Sequence, residues 1–203
     1  MNYTGPKVRL SRKLGTALTP KAERIMQKRS NPPGQHGGGP RGRKVSVYKR
    51  QLMEKQLLRH FYNVHERQLR NVFAKAAQLN VNTADAMISL LETRLDAVVA
   101  RGGLARTIFA ARQYVSHGHI EINGKKVDVP SARVKIGDVV SVREKSKEKK
   151  CFQEALESAA NTPPYVELDK EKMTVTLKSD PKREDVPVIQ NSDVSLVVEY
   201  YAR

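Results

Sequence analysis

The sequence has a single cysteine, Cys151, and no tryptophan among its 203 residues. One cysteine excludes a disulfide framework and any zinc site built from several cysteines. No apolar run approaches the roughly 18 residues that a membrane-spanning helix needs, so the sequence predicts no integral membrane protein. Because Met1 to Tyr3 lead directly into polar sequence and not into a secretory signal, we expect a chain of the cytosol.

Acidic residues are scarce, with 21 Asp and Glu against 37 Lys and Arg, which gives a formal net charge of +16. Residues 1–50 contain only one acid, Glu23, and carry a net charge of +12. Residues 101–150 carry +7, whereas residues 151–203 carry −4. Such a basic surface points to a polyanion, of which nucleic acid is the commonest. The alternative is a basic face kept for solubility, which so dense a block disfavours because its charges repel one another.

Aromatic residues are few, with seven Tyr and four Phe. Proteins that read single-stranded RNA stack its bases on aromatic side chains, and the sequence lacks that pattern. We therefore expect recognition of a folded RNA by charge and shape, through Lys and Arg contacts to phosphates.

The first 45 residues predict a basic arm. Residues 31–40 are rich in Pro and Gly, which disfavours both helix and strand. This run lacks the spacing of a nucleotide-binding P-loop, and no apolar strand precedes it. We expect the arm to order on RNA.

From residue 46 onward the apolar spacing is helical. Leu69, Val72, Phe73 and Ala76 stand at i, i+3, i+4 and i+7, which predicts an amphipathic helix packed on a core. Asn82 is placed to cap the next helix. The apolar residues are assigned to packing, and the arginines on the opposite face are the candidates for function.

Residues 94–145 predict a compact unit of two short helices followed by strands. Asn123-Gly124 is the strongest sequence signal of a two-residue hairpin, and it precedes a segment in which Val127 and Val129 alternate with polar residues. The later elements are predicted as an amphipathic helix over 147–160, a hairpin of 165–168 with 173–177, and a β-strand over 195–201.

A set of short motifs is specific through its order and spacing. The motifs are Tyr3-Thr4-Gly5-Pro6, Arg9-Leu10-Ser11-Arg12, Pro33-Gly34-Gln35-His36-Gly37, Glu54-Lys55-Gln56, Glu66-Arg67-Gln68-Leu69-Arg70-Asn71, Leu90-Leu91-Glu92, Arg94-Leu95-Asp96, Ala111-Arg112-Gln113, Val115-Ser116-His117-Gly118-His119-Ile120, Asn123-Gly124-Lys125-Lys126-Val127 and Val197-Val198-Glu199-Tyr200-Tyr201. Through them the chain resembles the bacterial family of small-subunit ribosomal protein S-four over nearly its whole length.

The resemblance implies an α+β fold with an inserted module. After the arm over 1–45, a helical domain over 46–92 would be completed by residues 178–203. Residues 93–177 would form the inserted RNA-binding module of two helices and an antiparallel sheet, with the following helix and hairpin.

The resemblance also implies a function and partners. The family binds small-subunit (16S) ribosomal RNA early, nucleates assembly of the subunit body and influences translational accuracy. Its neighbours are ribosomal proteins S-five and S-twelve, and it lies near the path by which messenger RNA enters. No enzyme activity, membrane contact, small-molecule substrate or cofactor is implied.

Two sets of site residues follow from this interpretation. The RNA-binding candidates are Arg9, Arg12, Lys13, Arg41, Arg43, Lys44, Lys49, Arg50, Lys55, Arg59, Arg67, Arg70, Arg94, Arg106, Arg112, Gln113, His117, His119, Asn123, Lys125, Lys126 and Arg133. The candidates for protein contact are Asp185, Asn191, Asp193, Glu199, Tyr200 and Tyr201.

No metal site is expected. Some family members carry a cysteine cluster near the N-terminus that binds zinc or an iron–sulfur cluster, whereas here the first pair of positions reads Val8 and Ser11. His117 and His119 could pair on a metal, but no Cys and no carboxylate at ligand spacing accompanies them. A junction that touches phosphate or packs locally is the better interpretation of these histidines.

Two other functions compete with the ribosomal one. Similar RNA-binding modules are appended to pseudouridine synthases, and Arg94-Leu95-Asp96 resembles their catalytic tripeptide, but too little chain follows the module for their catalytic domain. A free RNA-binding regulatory protein is the other alternative, against which the motifs of residues 1–93 argue.

Overall fold

The computed structural model describes residues 3–35, 45–158, 162–186 and 192–203. Its helices and strands are, in chain order, α1 (Lys7–Leu14), α2 (Pro20–Lys28), α3 (Val47–Phe61), α4 (Glu66–Ala77), α5 (Thr83–Glu92), α6 (Leu95–Arg101), α7 (Ile108–Ser116), β1 (Ile120–Ile122), β2 (Lys125–Lys126), β3 (Val139–Val142), α8 (Glu144–Lys147), α9 (Lys150–Glu157), β4 (Val166–Asp169), β5 (Thr174–Leu177) and α10 (Val194–Ala202). The mixture of helices and an antiparallel sheet confirms the α+β prediction.

The chain divides into two compact units. Unit 1 comprises Met1–Lys75 and Val188–Arg203, and unit 2 comprises Ala76–Pro187. No helix among the described residues is long and apolar enough to cross a membrane.

Two helices form in unit 1 where the sequence predicted an irregular arm. Gly15, at φ +79°, ends α1 in the left-handed conformation and donates its N–H to the carbonyl of Ser11. The Ser11 hydroxyl accepts a hydrogen bond from the N–H of Leu18, and Thr19 caps α2. Local capping and the burial of Leu18 against its neighbours therefore give order to part of this segment. Residues 36–44, which include much of the Pro/Gly-rich run, lie outside the described residues.

The C-terminal segment of unit 1 is a helix, and the prediction of a β-strand over 195–201 was wrong. Val194, Val197 and Tyr201 share a helical face, and the first two are buried. Asp193 caps the helix by accepting from the N–H of Ser195 at 3.0 Å. The β-branched composition favoured a strand, but burial of one helical face on α3 outweighs that local preference.

Unit 2 is built around a five-stranded antiparallel sheet with the order β2-β1-β3-β5-β4. Its inner face buries Ile120, Val140 and Val175. Gly102, just after α6, lies so close to β5 that an added Cβ would stand 2.4 Å from a methyl carbon of Val175. Only glycine allows this approach, which brings α6 against the sheet.

The hairpin predicted at Asn123-Gly124 is confirmed. Both residues have positive φ, +50° and +76°, as a two-residue turn between antiparallel strands requires. Strand β2 nevertheless ends at Lys126, and Val129 is 51% exposed, so the expected longer alternation is wrong. The chain turns away at this point because its backbone binds the start of α6: Asp96 donates its N–H to the carbonyl of Pro130.

The remaining predicted elements of unit 2 also form. Asn82 caps α5 by accepting from the N–H of Ala84 at 2.9 Å, and β4 pairs antiparallel with β5. The predicted amphipathic helix over 147–160 is α9, with Phe152 fully buried.

Candidate RNA-binding surface

Helix α7 has one buried and one polar face. Thr107 caps the helix by accepting from the N–H of Ala110 at 3.2 Å. Ala111 and Val115 are buried beneath it, whereas Gln113 is exposed. The helix therefore presents its polar residues outward beside the hairpin.

Arg94 was predicted to bind RNA but is buried. Only 5% of the residue is exposed, and its guanidinium donates two hydrogen bonds to the carboxylate of Asp96, at 2.9 and 2.6 Å. Arg94 is therefore committed to Asp96 within unit 2, and a contact between Arg94 and RNA stays a prediction.

Asp96 also holds a second arginine, Arg112. Its Oδ2 lies 3.5 Å from Nη1 of Arg112, and the side chains of Asp96 and Arg112 are 1% and 21% exposed. Burial raises the pKa of Asp96, and the two arginines oppose that rise. One carboxylate shared by two cations leaves a net positive charge, and of the two cations Arg112 is half-buried whereas Arg94 is buried.

Arg133 reaches the surface from the loop that precedes β3. Its backbone forms an isolated bridge with that of Arg94, and the next residue, Val134, donates its N–H to the carbonyl of Thr93. The Arg133 side chain is exposed. The backbone of Arg94 thus helps to position Arg133, while its own side chain is buried.

The β1–β2 hairpin presents Lys125 and Lys126, both exposed. Asn123 holds the turn: its amide nitrogen donates to Asp138 at 2.8 Å, and its amide oxygen accepts from the N–H of Val139 at 2.9 Å. Hydrogen bonds from the backbone of Lys135 and from Asn123 lower the pKa of Asp138. The side chain of Asn123 is therefore committed to the fold of the hairpin.

The junction between α7 and β1 brings the hairpin to the end of the helix. Gly118 has φ +69°, and an added Cβ there would lie 2.5 Å from Cε of Lys126. His117 is exposed and its ring centroid is 6.1 Å from that of the half-buried His119. We use the term basic face for the half-buried Arg112 together with the exposed polar residues of this region, which are Gln113, His117, Lys125, Lys126 and Arg133.

Arg106 is exposed but engaged. It donates to Ser158 at 3.1 Å and lies 3.3 Å from a carboxylate oxygen of Glu154. An exposed ion pair of this kind is worth little, so RNA could replace it.

The bases of unit 1 that were predicted to bind RNA differ in how far their side chains are exposed. Arg12 donates to the carbonyl of Asn31, and the half-buried Arg59 donates to Val64 and Gln56. The exposed bases are Arg9, Lys13, Lys49, Arg50, Arg67 and Arg70. Arg41, Arg43 and Lys44 lie outside the described residues.

Lys55 is buried within unit 1, and its predicted contact with RNA stays a prediction. Its side chain is 6% exposed, and its Nζ lies 3.0 Å from Glu66 and 4.8 Å from the ring centroid of Tyr200. Glu66 also accepts from the hydroxyl of Tyr201 at 2.8 Å. Burial by itself would raise the pKa of Glu66, but the hydrogen bonds from Tyr201 and Lys55 outweigh that effect and lower the pKa.

The residues predicted to contact other proteins differ in their exposure. Tyr200 and Tyr201 are half-buried in the cluster with Lys55, and the exposed Glu199 accepts from Gln51 at 2.8 Å. Asp193 is exposed and Asp185 is half-exposed, in a short 3₁₀ helix, while Asn191 lies outside the described residues.

Two bases near the basic face, Arg143 and Lys149, were not among the residues predicted from the sequence to bind RNA. Lys149 Nζ lies 3.3 Å from Nε2 of His119, and Arg143 donates to the carbonyl of Gly118 at 3.4 Å. The separation of 30 residues between His119 and Lys149 gives no local signal, although the run of bases over 143–150 could have drawn attention to the segment.

The described residues contain no group of three or more His, Cys, Asp or Glu side chains that could hold a metal ion. Cys151 is a free, half-buried thiol. Burial, with a smaller effect of Cys151, raises the pKa of Tyr114 to about 12.

Comparison with known protein families matches two models that together cover residues 2–140. The first is "Ribosomal protein S4/S9 N-terminal domain", over residues 2–92. The second is "S4 domain", over residues 93–140. All residues of the basic face lie within the second of these segments.

Curated relatives match from end to end. The protein of Streptomyces avermitilis named "Small ribosomal subunit protein uS4" is 50% identical over 207 residues, covering 100% of this chain and 99% of the relative. Proteins of the same name from Thermobifida fusca and Geobacillus stearothermophilus are each 47% identical, covering 100% and 99% of this chain and 100% and 98% of the relatives. The architecture, the basic face and this similarity together place the chain in the uS4 family of small ribosomal subunit proteins.

Proposed function

We propose that the chain is a structural constituent of the small ribosomal subunit in the cytoplasm, where it binds 16S ribosomal RNA. The observation that carries this is the basic face of unit 2, in which a buried carboxylate holds the half-buried Arg112 and a tight hairpin presents Lys125 and Lys126. Prepositioned bases bind phosphates with little loss of side-chain entropy. Arginine adds a planar fork that suits phosphate oxygens.

The test is a triple substitution, Arg112→Ala with Lys125→Ala and Lys126→Ala. Binding to 16S ribosomal RNA transcribed in vitro should weaken. The slope of log affinity against log salt should flatten by about 0.7–0.9 for each phosphate that the variant no longer neutralises. Unchanged affinity and slope would remove the basic face from the proposal.

We also propose that binding serves assembly of the subunit body, with ribosomal proteins S-five and S-twelve and incoming messenger RNA as neighbours. An RNA contact made by a folded surface can form before other proteins arrive, which suits an early assembly step. Small subunits assembled without the chain should lack the proteins that bind later, and isolated subunits should contain one copy of it.

No catalysis is proposed. In the pseudouridine synthase alternative, Asp96 would be the catalytic carboxylate and would have to reach a nucleotide. Its side chain is 1% exposed and is bound by Arg94, which favours a structural role.

A role in accuracy would involve the acidic end of the chain. Residues 151–203 carry −4, which suits contact with a protein better than with phosphate. A contact worth about 1–3 kcal/mol can shift a two-state equilibrium roughly 5- to 150-fold. Glu199→Lys should therefore raise misreading while RNA affinity is retained, and normal accuracy in that variant would exclude the role for Glu199.

A further inference from the structure

The tip of the β1–β2 hairpin is the dipeptide Asn123-Gly124, and both residues are exposed. An asparagine amide can react with the backbone nitrogen of the residue that follows it. That nitrogen attacks Cγ, so that a Cγ–N bond closes a succinimide ring and the Cγ–Nδ2 bond breaks. The backbone proton leaves with Nδ2 as ammonia, and water then opens the ring to aspartate or isoaspartate. Glycine permits the reaction best, because no side chain obstructs the approach of its nitrogen.

The turn itself requires this reactive dipeptide. Asn123 has φ +50° and Gly124 has φ +76°. A Cβ added at Gly124 would meet no heavy atom within 4 Å, so the backbone conformation, and not a lack of space, demands glycine there. A bulkier residue that slowed the reaction would therefore strain the hairpin.

The fold holds the reactive amide at both of its ends. Nδ2 of Asn123 donates to Oδ1 of Asp138 at 2.8 Å, and Oδ1 of Asn123 accepts from the N–H of Val139 at 2.9 Å. Asp138 is itself fixed, since its Oδ2 accepts from the N–H of Lys135 at 2.8 Å. Attack makes Cγ tetrahedral and moves Oδ1 and Nδ2 away from the partners that hold them, so these hydrogen bonds oppose the reaction.

The backbone around the turn is held as well. The N–H of Asn123 donates to the carbonyl of Val139 at 2.9 Å. Ile122, the preceding residue, pairs with Lys125 on one side and with Val140 on the other. Rotation of the Asn123 backbone, which the approach of the two reacting atoms needs, is therefore restricted in the folded chain.

We propose that Asn123 is a deamidation site that Asp138 and Val139 hold back while the hairpin is closed. The reaction needs no enzyme and no co-reactant besides water. It proceeds in chains whose hairpin is open, so it marks chains that have spent time unfolded. This inference goes beyond the RNA-binding function proposed above and does not rest on it.

The product weakens the hairpin. A carboxylate at position 123 has no N–H to donate to Asp138, and it places two negative groups where a hydrogen bond of 2.8 Å now stands. Like charges at such a distance repel one another. Isoaspartate also adds one methylene to the main chain, which disturbs the pairing of Ile122 with Lys125. Conversion therefore loosens the turn that presents Lys125 and Lys126.

The first test incubates the full chain at neutral pH, either folded or unfolded in guanidinium chloride, and follows conversion of Asn123 by mass spectrometry of tryptic peptides. Conversion in the unfolded chain should be about tenfold faster or more, the ratio expected when two hydrogen bonds oppose the reaction. Asn63 also has a positive φ, +48°, but is followed by Val64, so it is the internal control and should convert slowly in both states. Equal rates for Asn123 in the two states would show that the fold gives no protection. A rate no higher than that of Asn63 in the unfolded chain would remove the site.

The second test examines whether Asp138 contributes to the protection. Asp138→Ala removes the acceptor of Nδ2 and should raise conversion in the folded chain roughly two- to tenfold, the value of one hydrogen bond. Asp128→Ala, at an exposed carboxylate of the same unit, should leave the rate unchanged. Thermal unfolding checks that both variants are folded at the temperature of incubation. Equal rates in the two variants would exclude Asp138 from the protection.

The third test reproduces the aspartate product and then exchanges the two side chains. Asn123→Asp should lower the free energy of unfolding, because aspartate tolerates the turn conformation but repels Asp138. Asn123→Asp combined with Asp138→Asn should recover most of that loss, since an amide at position 138 can donate to position 123 and still accept from Lys135. Wild-type stability in Asn123→Asp, or no recovery in the double variant, would contradict the predicted weakening of the hairpin.

Discussion

Asp96 shows how a buried residue can control a surface. Its carboxylate binds Arg94 and also lies within 3.5 Å of Arg112, and the backbone of Arg94 bridges that of Arg133. The buried ion pair of Arg94 and Asp96 therefore helps to position the half-buried Arg112 and the exposed Arg133. Such a pair adds little net stability, but removing one partner leaves the other charge buried alone.

Asp96→Asn should destabilise unit 2 strongly, because Arg94 would lose its counter-charge. Breaking a buried ion pair costs about 3–5 kcal/mol, which urea unfolding followed by circular dichroism would measure. The matched control, Asp128→Asn on an exposed loop, should stay within about 0.5 kcal/mol. Near-equal stabilities of the two variants would show that Arg94 finds another partner.

His60 predicts a pH dependence of the stability of unit 1. Burial lowers the pKa of His60 from 6.5 to about 4, and repulsion from Arg59, Lys7 and Lys13 adds to the shift. The unfolded chain therefore takes up a proton that the folded chain resists. This stabilising contribution is complete above pH 6.5 and is lost as the pH falls to about 4.

His60→Gln should flatten the slope of stability against pH in this window. Unfolding of the full chain at a series of pH values measures the slope. His117→Gln, which removes an exposed histidine of unit 2, should leave it unchanged. An unaltered slope in His60→Gln would assign the dependence to other groups.

At the scale of elements, α10 is held on α3 and α4 by polar as well as apolar contacts. Val194 and Val197 are buried, and the end of the helix is fixed by Tyr201 on Glu66 and by Tyr200 beside Lys55. The phenol hydroxyl of Tyr201 stays protonated, because burial and Glu66 raise its pKa. Removing α10 would therefore expose part of the core of unit 1 and leave Lys55 and Glu66 with fewer partners.

Tyr201→Phe should destabilise unit 1 by about 0.5–1.5 kcal/mol, the usual net value of one hydrogen bond. Only the hydroxyl is removed, and the ring keeps its stacking on Phe73 at 5.2 Å. The control is Tyr3→Phe, whose hydroxyl makes a single exposed bond to Pro6 at 3.4 Å. Urea unfolding measures the free energy of unfolding of both variants. If Tyr201→Phe loses no more stability than Tyr3→Phe, water replaces the Tyr201 hydroxyl as the donor to Glu66 without a cost in stability.

The charge of the whole molecule favours a polyanionic partner, and its sequence offers few ligands for a metal cofactor. The net charge is +16, whereas ligands with the spacing of a zinc or iron–sulfur site are absent from the sequence before residue 36. A structural metal would supply folding energy to such a segment, but here α1 and α2 are ordered by caps and apolar contacts.

The purified chain should therefore contain no stoichiometric zinc or iron. Elemental analysis of protein purified without chelator measures this directly. Treatment with a chelator should leave its unfolding transition unchanged, because no folding energy comes from a metal. One metal ion per chain would contradict the prediction and would direct attention to His117 and His119.

Features that depend on neighbouring residues follow from the sequence alone. The caps at Asn82 and Thr107, the turn at Asn123-Gly124 and the stripe along α4 are encoded within a few positions, so periodicity and turn chemistry predict them. The separation of basic and acidic regions follows directly from the number of charged residues in each segment. Together with the motifs, these features predict the α+β class and the family.

Which charged side chains reach the surface depends on the tertiary fold. The sequence predicted Arg94 and Lys55 as bases available to RNA, but each is buried on a carboxylate that the fold brings to it. The fold also brings the exposed Lys149 to His119, from which it is separated by 30 positions in the chain. Helix α10 was predicted as a strand because its residues favour one locally, and only burial of its face on α3 makes it helical. Contacts between distant segments leave no short-range pattern, which is why these features could not be predicted from the sequence.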